Sequence, residues 1–413
     1  MFRINLYIIF LVANMFFNHT VAQNRSEKLD RFLEKKMAKA NIVGLQAAFI
    51  SNGKLKWVGS FGKSDYKKHK SVNDSTLFMI ASCSKPVTAF GLMKLYDEGR
   101  IDLDDDINDH LPFEIVNPNY PSQPITFRML LAHTSSFHDD TPLLVSLYTF
   151  ENGGDSPISL EDFIKGYFLP QGKYYDPKKN FSDVKPGTDR DYSNAGYALI
   201  GYLIQQISGK NFNTYMQEEI FRPLGMRNSY WFLKNIPHDN ISLPHEFVEG
   251  KSKDSMYKGL KPYGFPDYPD GQLRTNVSDY AQIIELMVNK GKVDGKVFLS
   301  KKTTDEFLTV QFPEVSEWQA IAWNYNEFDN WLYYLLMPRL PSHTGVDPGV
   351  ATVTSFNRKT GNGVIIFANT LTHNFKGHKA LYVDMVKRLL KEAKKQQEIN
   401  TSKKAFVQTF SSN

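Results

Sequence analysis

Cysteine is nearly absent from this 413-residue chain: Cys83 stands alone. That excludes an intramolecular disulfide and any thiolate-clustered metal site. An excess of one charge is also lacking. The formal net charge is +5, and the stretch 387–404, with seven Lys or Arg against Glu392 and Glu398, accounts for all of it. Nucleic acid is therefore not an expected partner. No long hydrophobic run occurs beyond Leu6 to Ala13, which Asn5, Asn14 and Asn18 bound or follow. It falls short of the roughly 20 apolar residues a membrane span needs. Internal repeats, a Gly-x-Ser-x-Gly nucleophile elbow and a helical His-Glu-x-x-His zinc motif are missing as well.

What is present begins with "MFRINLYIIFLVANMFFNHTVAQ": a basic residue, a short apolar run and the small-residue pattern Thr20-Val21-Ala22. This reads as a secretory signal peptide over 1–22, cleaved after Ala22, and implies a periplasmic or secreted protein. The remaining chain is 41% apolar over its whole length, enough for a sizeable core. "VGLQAAFI", Ser51-Asn52-Gly53 and "KLKWVGSFG" form a hairpin pattern, since Asn-Gly supplies the positive φ of a tight turn. "VATVTSF" and "GVIIFAN" suggest a second hairpin around Asn357 to Asn362. Between them lie helical signals: "ITFRMLLAH", "AGYALIGYLIQQISG", "NTYMQEEIF" and "SDYAQIIELMVNKG". The fold class expected is α/β, an antiparallel sheet built from both chain ends and flanked by helices, with a mainly helical inserted subdomain. The domain would occupy 23–395, its insertion roughly 96–330, and a polar, frayed tail would follow over 396–413.

A serine three residues before a lysine occurs six times, at Ser51, Ser60, Ser64, Ser82, Ser182 and Ser255. Spacing alone therefore selects nothing. In "LFMIASCSKPVTAFGLMKLYDEG", however, Ser82 follows an apolar segment and stands where an amphipathic helix begins, with Pro86 in the first turn. Three residues along a helix return to the same face, so Lys85 would lie beside the Ser82 hydroxyl. Ser82 could equally be an ordinary N-cap. A site of the β-lactamase or penicillin-binding kind needs, beside such a pair, a second proton-handling group and a third element borne on a strand. Tyr192-Ser193-Asn194 opens a helical stretch after the turn Lys185-Pro186-Gly187 and fits the second. The third has two candidates: Lys359-Thr360-Gly361 sits between two strand-like runs and reads as a hairpin tip, whereas His343-Thr344-Gly345 leads directly into a strand. His343 is the one selected. At an ordinary pKa of about 6.5 it would gain charge between pH 8 and 6 and attract a substrate carboxylate.

With those three motifs in place, the chain resembles the serine β-lactamase and DD-peptidase superfamily, in its class C-like branch with esterases and D-amino-acid peptidases. "LLAHTSSF", "YSNAGYALIGYLI" and "IFRPLGM" belong to the same resemblance, which spans roughly Val43 to Asn369. It implies an α/β sandwich with a cleft beside a helical subdomain, no cofactor, and a small-molecule or peptide substrate. By resemblance Ser82 is the nucleophile, Lys85 and Tyr192 handle its proton, and Asn194, His343, Thr344, Gly345 and Val346 bind substrate. Asn194 would hold the lysine, and the N–H groups of Ser82 and Val346 would form an oxyanion hole. Lys85 or Tyr192 would have to be tuned down by roughly 3 pKa units to act as a base near neutrality. Three departures stand out: Val346 where related peptidases carry a hydroxyl, Ser136 for a common glycine, and Gln272 within a usual Gly-Gly pair. Rival readings are a true β-lactamase, a non-catalytic penicillin-binding or glycan- or peptide-binding relative, and a zinc hydrolase using His133, His138, Asp139, His373 or His378. The stretch "WNYNEFDNWLYY" reads as a core strand rather than a pocket wall.

Overall fold

The computed structural model describes residues 27–237, 239–252, 256–328, 338–371 and 375–411; the expected signal peptide lies outside them. Residues 27–39 form a helix, α1, in which Leu29, Leu33 and Met37 recur on one face and are buried. Strand β1 (Gly44–Ser51) turns through Asn52 and Gly53, both at positive φ (53° and 73°), into β2 (Lys54–Asp65), followed by β3 (Lys70–Ser71). Helix α2 spans Ser84–Asp97, α3 Asn194–Ser208 and α4 Val277–Val288. The chain then returns as β4 (Ser342–Asp347), β5 (Val350–Asn357) and β6 (Asn362–Ala368) and ends in α5 (Phe375–Ser411). The tail expected to fray beyond Lys395 is part of that helix.

The six strands form one antiparallel sheet in the order β4-β5-β6-β1-β2-β3, so the two expected hairpins meet edge to edge at β1 and β6. Strand alternation splits their side chains between two cores. Leu45, Ala47 and Phe49 join Val364 and Ile366 against α1 and α5, where Leu381, Met385, Val386 and Leu389 are buried. Ala48 and Ile50 join Ile365 and Phe367 on the opposite face against Tyr280, Ile283, Ile284 and Met287 of α4. Gln46 also points that way, and its Oε1 accepts from the Val277 N–H at the start of α4 (3.2 Å). Because both faces are covered, β1 reads as a nearly continuous apolar run.

Helix α2 differs from its expected amphipathic form. Every residue from Ser84 to Met93 is buried, because α3 packs on one side and the turn Tyr268–Asp270 on another. Tyr215 donates its hydroxyl to the Gly91 carbonyl (3.1 Å), and a Cβ on Gly91 would stand 2.7 Å from Met216 Sδ. The described part of "WNYNEFDNWLYY" is not a strand: Asn324 makes isolated bridges to Gln319 and Ser342, residues 325–328 turn, and Trp323 is buried edge-on against Phe356 (5.0 Å). Residues 329–337 lie outside the described structure.

Candidate active site

Ser82 does not cap a helix. It sits in the middle of a single tight turn, Ala81–Cys83, immediately before α2, and neither that turn nor α2 has a side-chain cap. Ala81 holds φ at 48°, a costly conformation for a residue with a Cβ, immediately before Ser82. The hydroxyl accepts from Lys85 Nζ at 3.2 Å. Its neighbour Cys83 turns the other way into the core, where the thiol donates to the His343 carbonyl (3.4 Å) and burial pushes its pKa up to about 12. Such a thiol does not form the reactive thiolate.

Lys85 is the hub of the site. Its fully buried Nζ also donates to Asn194 Oδ1 (2.6 Å), to the Asp270 carbonyl (3.1 Å) and to Asp270 Oδ2 (3.1 Å). It lies 4.9 Å from the centre of the Tyr192 ring and 5.7 Å from that of Tyr197. Burial works against the ammonium, but Asp270 and then Tyr192 outweigh it and the lysine pKa is raised. The Tyr192 phenol is raised too: its burial exceeds the opposing pull of Lys85 and of the Ser82 and Lys85 hydrogen bonds. The expectation that one partner is tuned down towards neutrality is overturned in the free protein. The physical reasons are burial of the phenol and, beside the lysine, a buried carboxylate that the three motifs do not contain.

Tyr192 is positioned by the "LLAHTSSF" segment. His133, at φ 59°, stacks its ring on Tyr192 at 4.3 Å, and its Nδ1 accepts from the Ser193 N–H (3.2 Å). Burial, then Arg190, Lys85 and His343, hold the His133 pKa well below normal, so it is a neutral acceptor. Ser193, not Asn194, caps α3, its Oγ accepting from Gly196 N (2.9 Å). Asp139 closes the same helix start, accepting from Asn194 N (2.7 Å), Ala195 N (3.1 Å) and Ser193 Oγ (2.9 Å). That leaves the Asn194 side chain free to face Lys85. Ser136 adopts φ 60°, the conformation that explains why glycine is the usual residue there. Gln272 bridges Phe265 N and the Trp231 carbonyl (both 2.7 Å) and serves the fold.

Strand β4, at the sheet edge, brings His343, Thr344, Gly345 and Val346 alongside the Ser82 turn. Gly345 is the point of closest approach: a Cβ there would stand 2.3 Å from Thr352 Oγ1, 2.5 Å from the Ile80 carbonyl and 3.0 Å from Ser82 N. Thr344 is tied to Glu327, whose Oε1 accepts from both its N–H (2.8 Å) and its hydroxyl. Val346 is exposed. His343 departs from expectation. It is buried, its Nδ1–H donates to the Thr344 carbonyl (2.7 Å), and burial followed by Lys85 pushes its pKa down to about 3. It does not gain charge between pH 8 and 6. Lys359, by contrast, is exposed at the β5–β6 turn, as its position between strands suggested.

Four acidic groups near Ser82 and Lys85 lie outside the three motifs: Asp139, read from the sequence only as a possible zinc ligand, Asp267, Asp270 and Asp347. Burial pushes Asp270 up to about 6 against the pull of Lys85, and Asp347 up to about 8 with Asp270 adding to the effect. Asp267 is raised well above normal by burial and Asp270. Arg190 and Lys85 both act on His133 and His343, and the Arg190 Nε donates to Gln319 Oε1 (2.8 Å). A signal for Asp270 did exist, since it stands in "YPDGQL" beside the aberrant Gln272, but only the tertiary approach to α2 reveals its partner. Among the described residues, no group of three or more His, Cys, Asp or Glu is arranged to hold a metal, and no helix is long and apolar enough to cross a membrane. His373 and His378 of the zinc reading have no described side chains.

The sequence profile of the beta-lactamase family matches residues 29–386. Protein flp of Staphylococcus aureus (strain N315) is 24% identical over 351 residues, covering 84% of this chain but only 64% of that protein. Among solved structures, EstCE1, a hydrolase with promiscuous acyltransferase activity, superposes with a TM-score of 0.68 at 17% identity, covering 88% of this chain and 98% of its own. The D-amino acid amidase of Ochrobactrum anthropi SV3 gives 0.67 at 20% identity, covering 90% and 99%. These structures share the fold with the present chain.

Proposed function

The chain belongs to the beta-lactamase family, and its fold neighbours include a hydrolase with promiscuous acyltransferase activity, a D-amino acid amidase and a class C beta-lactamase; from that premise we propose that it is a secreted serine hydrolase working through a Ser82 acyl-enzyme. The observation that carries this is the buried contact set of one ammonium, Lys85 Nζ, with Ser82 Oγ at 3.2 Å, Asn194 Oδ1 at 2.6 Å and the Tyr192 ring at 4.9 Å. In this reading Tyr192, as phenolate paired with lysinium, takes the Ser82 proton while Oγ bonds to the substrate carbonyl carbon. The oxygen that becomes negative is received by the N–H groups of Ser82 and Val346. Tyr192 then passes its proton to the leaving group, and water releases the acyl chain. Lys85 and Tyr192 titrate as a unit. With both raised, hydrolysis climbs with pH through neutrality into the alkaline range.

The substrate bond is an ester, amide or D-amino-acid-type peptide bond. Neutral substrates are favoured, because His343 carries no charge and Val346 offers no hydroxyl to a carboxylate. Arg190 supports a second reading, a β-lactam or acyl-D-Ala hydrolase, because its guanidinium acts on both His343 and His133. The deciding experiment is intact mass after a fluorophosphonate, followed by nitrophenyl esters, a chromogenic cephalosporin and D-Ala peptides. Ser82→Ala is expected to abolish labelling and turnover, whereas Cys83→Ala keeps most of both. Labelling that survives loss of Ser82 would sink the assignment, and a folded wild type that no probe acylates would favour a binding protein.

A further inference from the structure

Lys85 is gripped by a side chain that the three motifs do not supply. Asp270 closes the turn Tyr268–Asp270, packed against both α2 and α3, and reaches Lys85 Nζ twice, through its carbonyl and its Oδ2, each at 3.1 Å. The ion pair is dry: the two side chains are 0% and 6% exposed. Its other oxygen, Oδ1, is buried without a hydrogen-bond partner among the described residues. A carbonyl alone would suffice to locate an ammonium. A buried carboxylate in addition fixes the proton on it, since opposite charges at this distance in a low-dielectric site favour the ionised pair strongly.

We infer that Asp270 is a positioning residue for the acylation step: it keeps Lys85 protonated against Ser82 and Asn194, and so reserves the base role for Tyr192. The inference rests on the hydrolase reading above. In the step, the Ser82 Oγ–H bond breaks and its proton moves to the Tyr192 oxygen as Oγ bonds to the electrophile; Lys85 and Asp270 keep their charges throughout. The charged and titratable groups facing this pair are Tyr192 and Asp139 at the start of α3, Tyr197 within that helix, Asp267 just before the turn, Asp347 at the end of β4 with Tyr148 and Arg274 against it, and the imidazoles of His133 and His343. Three of these are carboxyl groups. An additional anion makes it harder for the Lys85–Tyr192 unit to lose its one proton, so Asp270 moves the onset of activity to higher pH while securing the geometry.

The test is the rate of Ser82 labelling by a fluorophosphonate against pH, read by intact mass, in wild type, Asp270→Asn and Asp270→Ala. Thermal melts identify which variants are folded, and two side-chain sizes guard against one of them failing. The expected result is a labelling midpoint lower by about 1 pH unit or more in the folded variants, the usual scale for removing a close buried charge. A lower maximal rate should accompany it, because Lys85 is held by one contact fewer. A purely structural Asp270 would lower the maximal rate and leave the midpoint in place, and that outcome overturns the inference. Wild type that is never labelled at Ser82 overturns the hydrolase reading and this inference with it. Wild type labelled with an unshifted midpoint in the variants overturns the Asp270 role alone.

Discussion

His343-Thr344-Gly345 and Lys359-Thr360-Gly361 differ by one letter, yet the molecule uses them for opposite purposes. The first lies on the edge strand β4, where its backbone presses against the Ser82 turn and its histidine is buried. The second closes the β5–β6 hairpin, where Asn357 Oδ1 accepts from the N–H of Lys359 (3.0 Å) and of Thr360 (3.2 Å), and Gly361 takes φ 69° to complete the turn. Identical residues Thr-Gly thus serve close backbone approach in one place and chain reversal in the other. The difference is set by neighbours: a residue pattern able to continue as strand against one flanked by Asn357, Arg358 and Asn362 in a tight connection.

The two glycines give the largest expected contrast. Gly345→Ala puts a methyl 2.3 Å from Thr352 Oγ1 and 2.5 Å from the Ile80 carbonyl, so β4 must move away from Ser82. Labelling and hydrolysis should fall about 100-fold or more, the scale of an ångström-size misplacement. Gly361→Ala meets Gly53 N at 3.0 Å and pays for a left-handed backbone. It should lower stability by roughly 1 kcal/mol with kcat/KM unchanged. Equal losses of activity in the two variants would erase the distinction between site and turn.

How far the sequence discloses this site depends on the range of the interactions that build it. Both hairpins are legible because alternation and turn chemistry are local, and α3 and α4 because their apolar faces repeat within each element. The pair Ser82 and Lys85 is legible for the same reason, three residues along one turn and helix. The helix over 27–39 carries its own signal in Leu29, Leu33 and Met37, but its position on the sheet follows from pairing across the whole chain. Burial is where local reading fails. Helix α2 looks amphipathic until α3 and the 268–270 turn cover its polar side, and His343 looks titratable until β4 docks beside Lys85. Asp270 is ordinary in "YPDGQL"; only the folded turn aims it at Lys85.

Burial of His343 sets the next contrast, in acid. Its pKa of about 3 in the fold lies below the ordinary value near 6.5, so from about pH 6.5 down to about 3 the unfolded chain binds more protons at this residue. The native state therefore loses stability as pH falls through that window, by up to about 1.4 kcal/mol per pH unit. Asp270 and Asp347, raised to about 6 and about 8, act in the opposite sense, with stability falling as pH rises through their windows. They are common to both proteins and cancel in a difference. His343→Gln should thus unfold at lower pH than wild type in denaturant titrations between pH 7 and 4. Affinity for an acyl-D-Ala substrate should show no gain from pH 8 to 6 that His343→Gln removes. A gain that disappears in the variant would restore the charged-histidine picture and place it on a par with a lysine.

Lys359→Ala is the smallest effect and the sharpest discriminator of the two tripeptides. The Lys359 side chain is exposed, and its ammonium joins no ion pair among the described residues. What it gives the turn is its backbone N–H, donated to Asn357 Oδ1, and alanine donates that equally well. Other ties of the turn, Gly361 N to the Asn357 carbonyl (2.9 Å) and Gly53 N to the Gly361 carbonyl (2.7 Å), do not involve the Lys359 side chain either. Loss of an unpaired surface side chain typically alters stability by less than about 0.5 kcal/mol. Removing one positive charge this exposed also does little to a screened cleft across the sheet. The variant should therefore match wild type in melting temperature, in fluorophosphonate labelling rate and in kcat/KM for neutral and anionic substrates alike. A selective rise in KM for the anionic substrate would mean that Lys359, not Arg190 or the β4 edge, supplies the cation that a carboxylate meets.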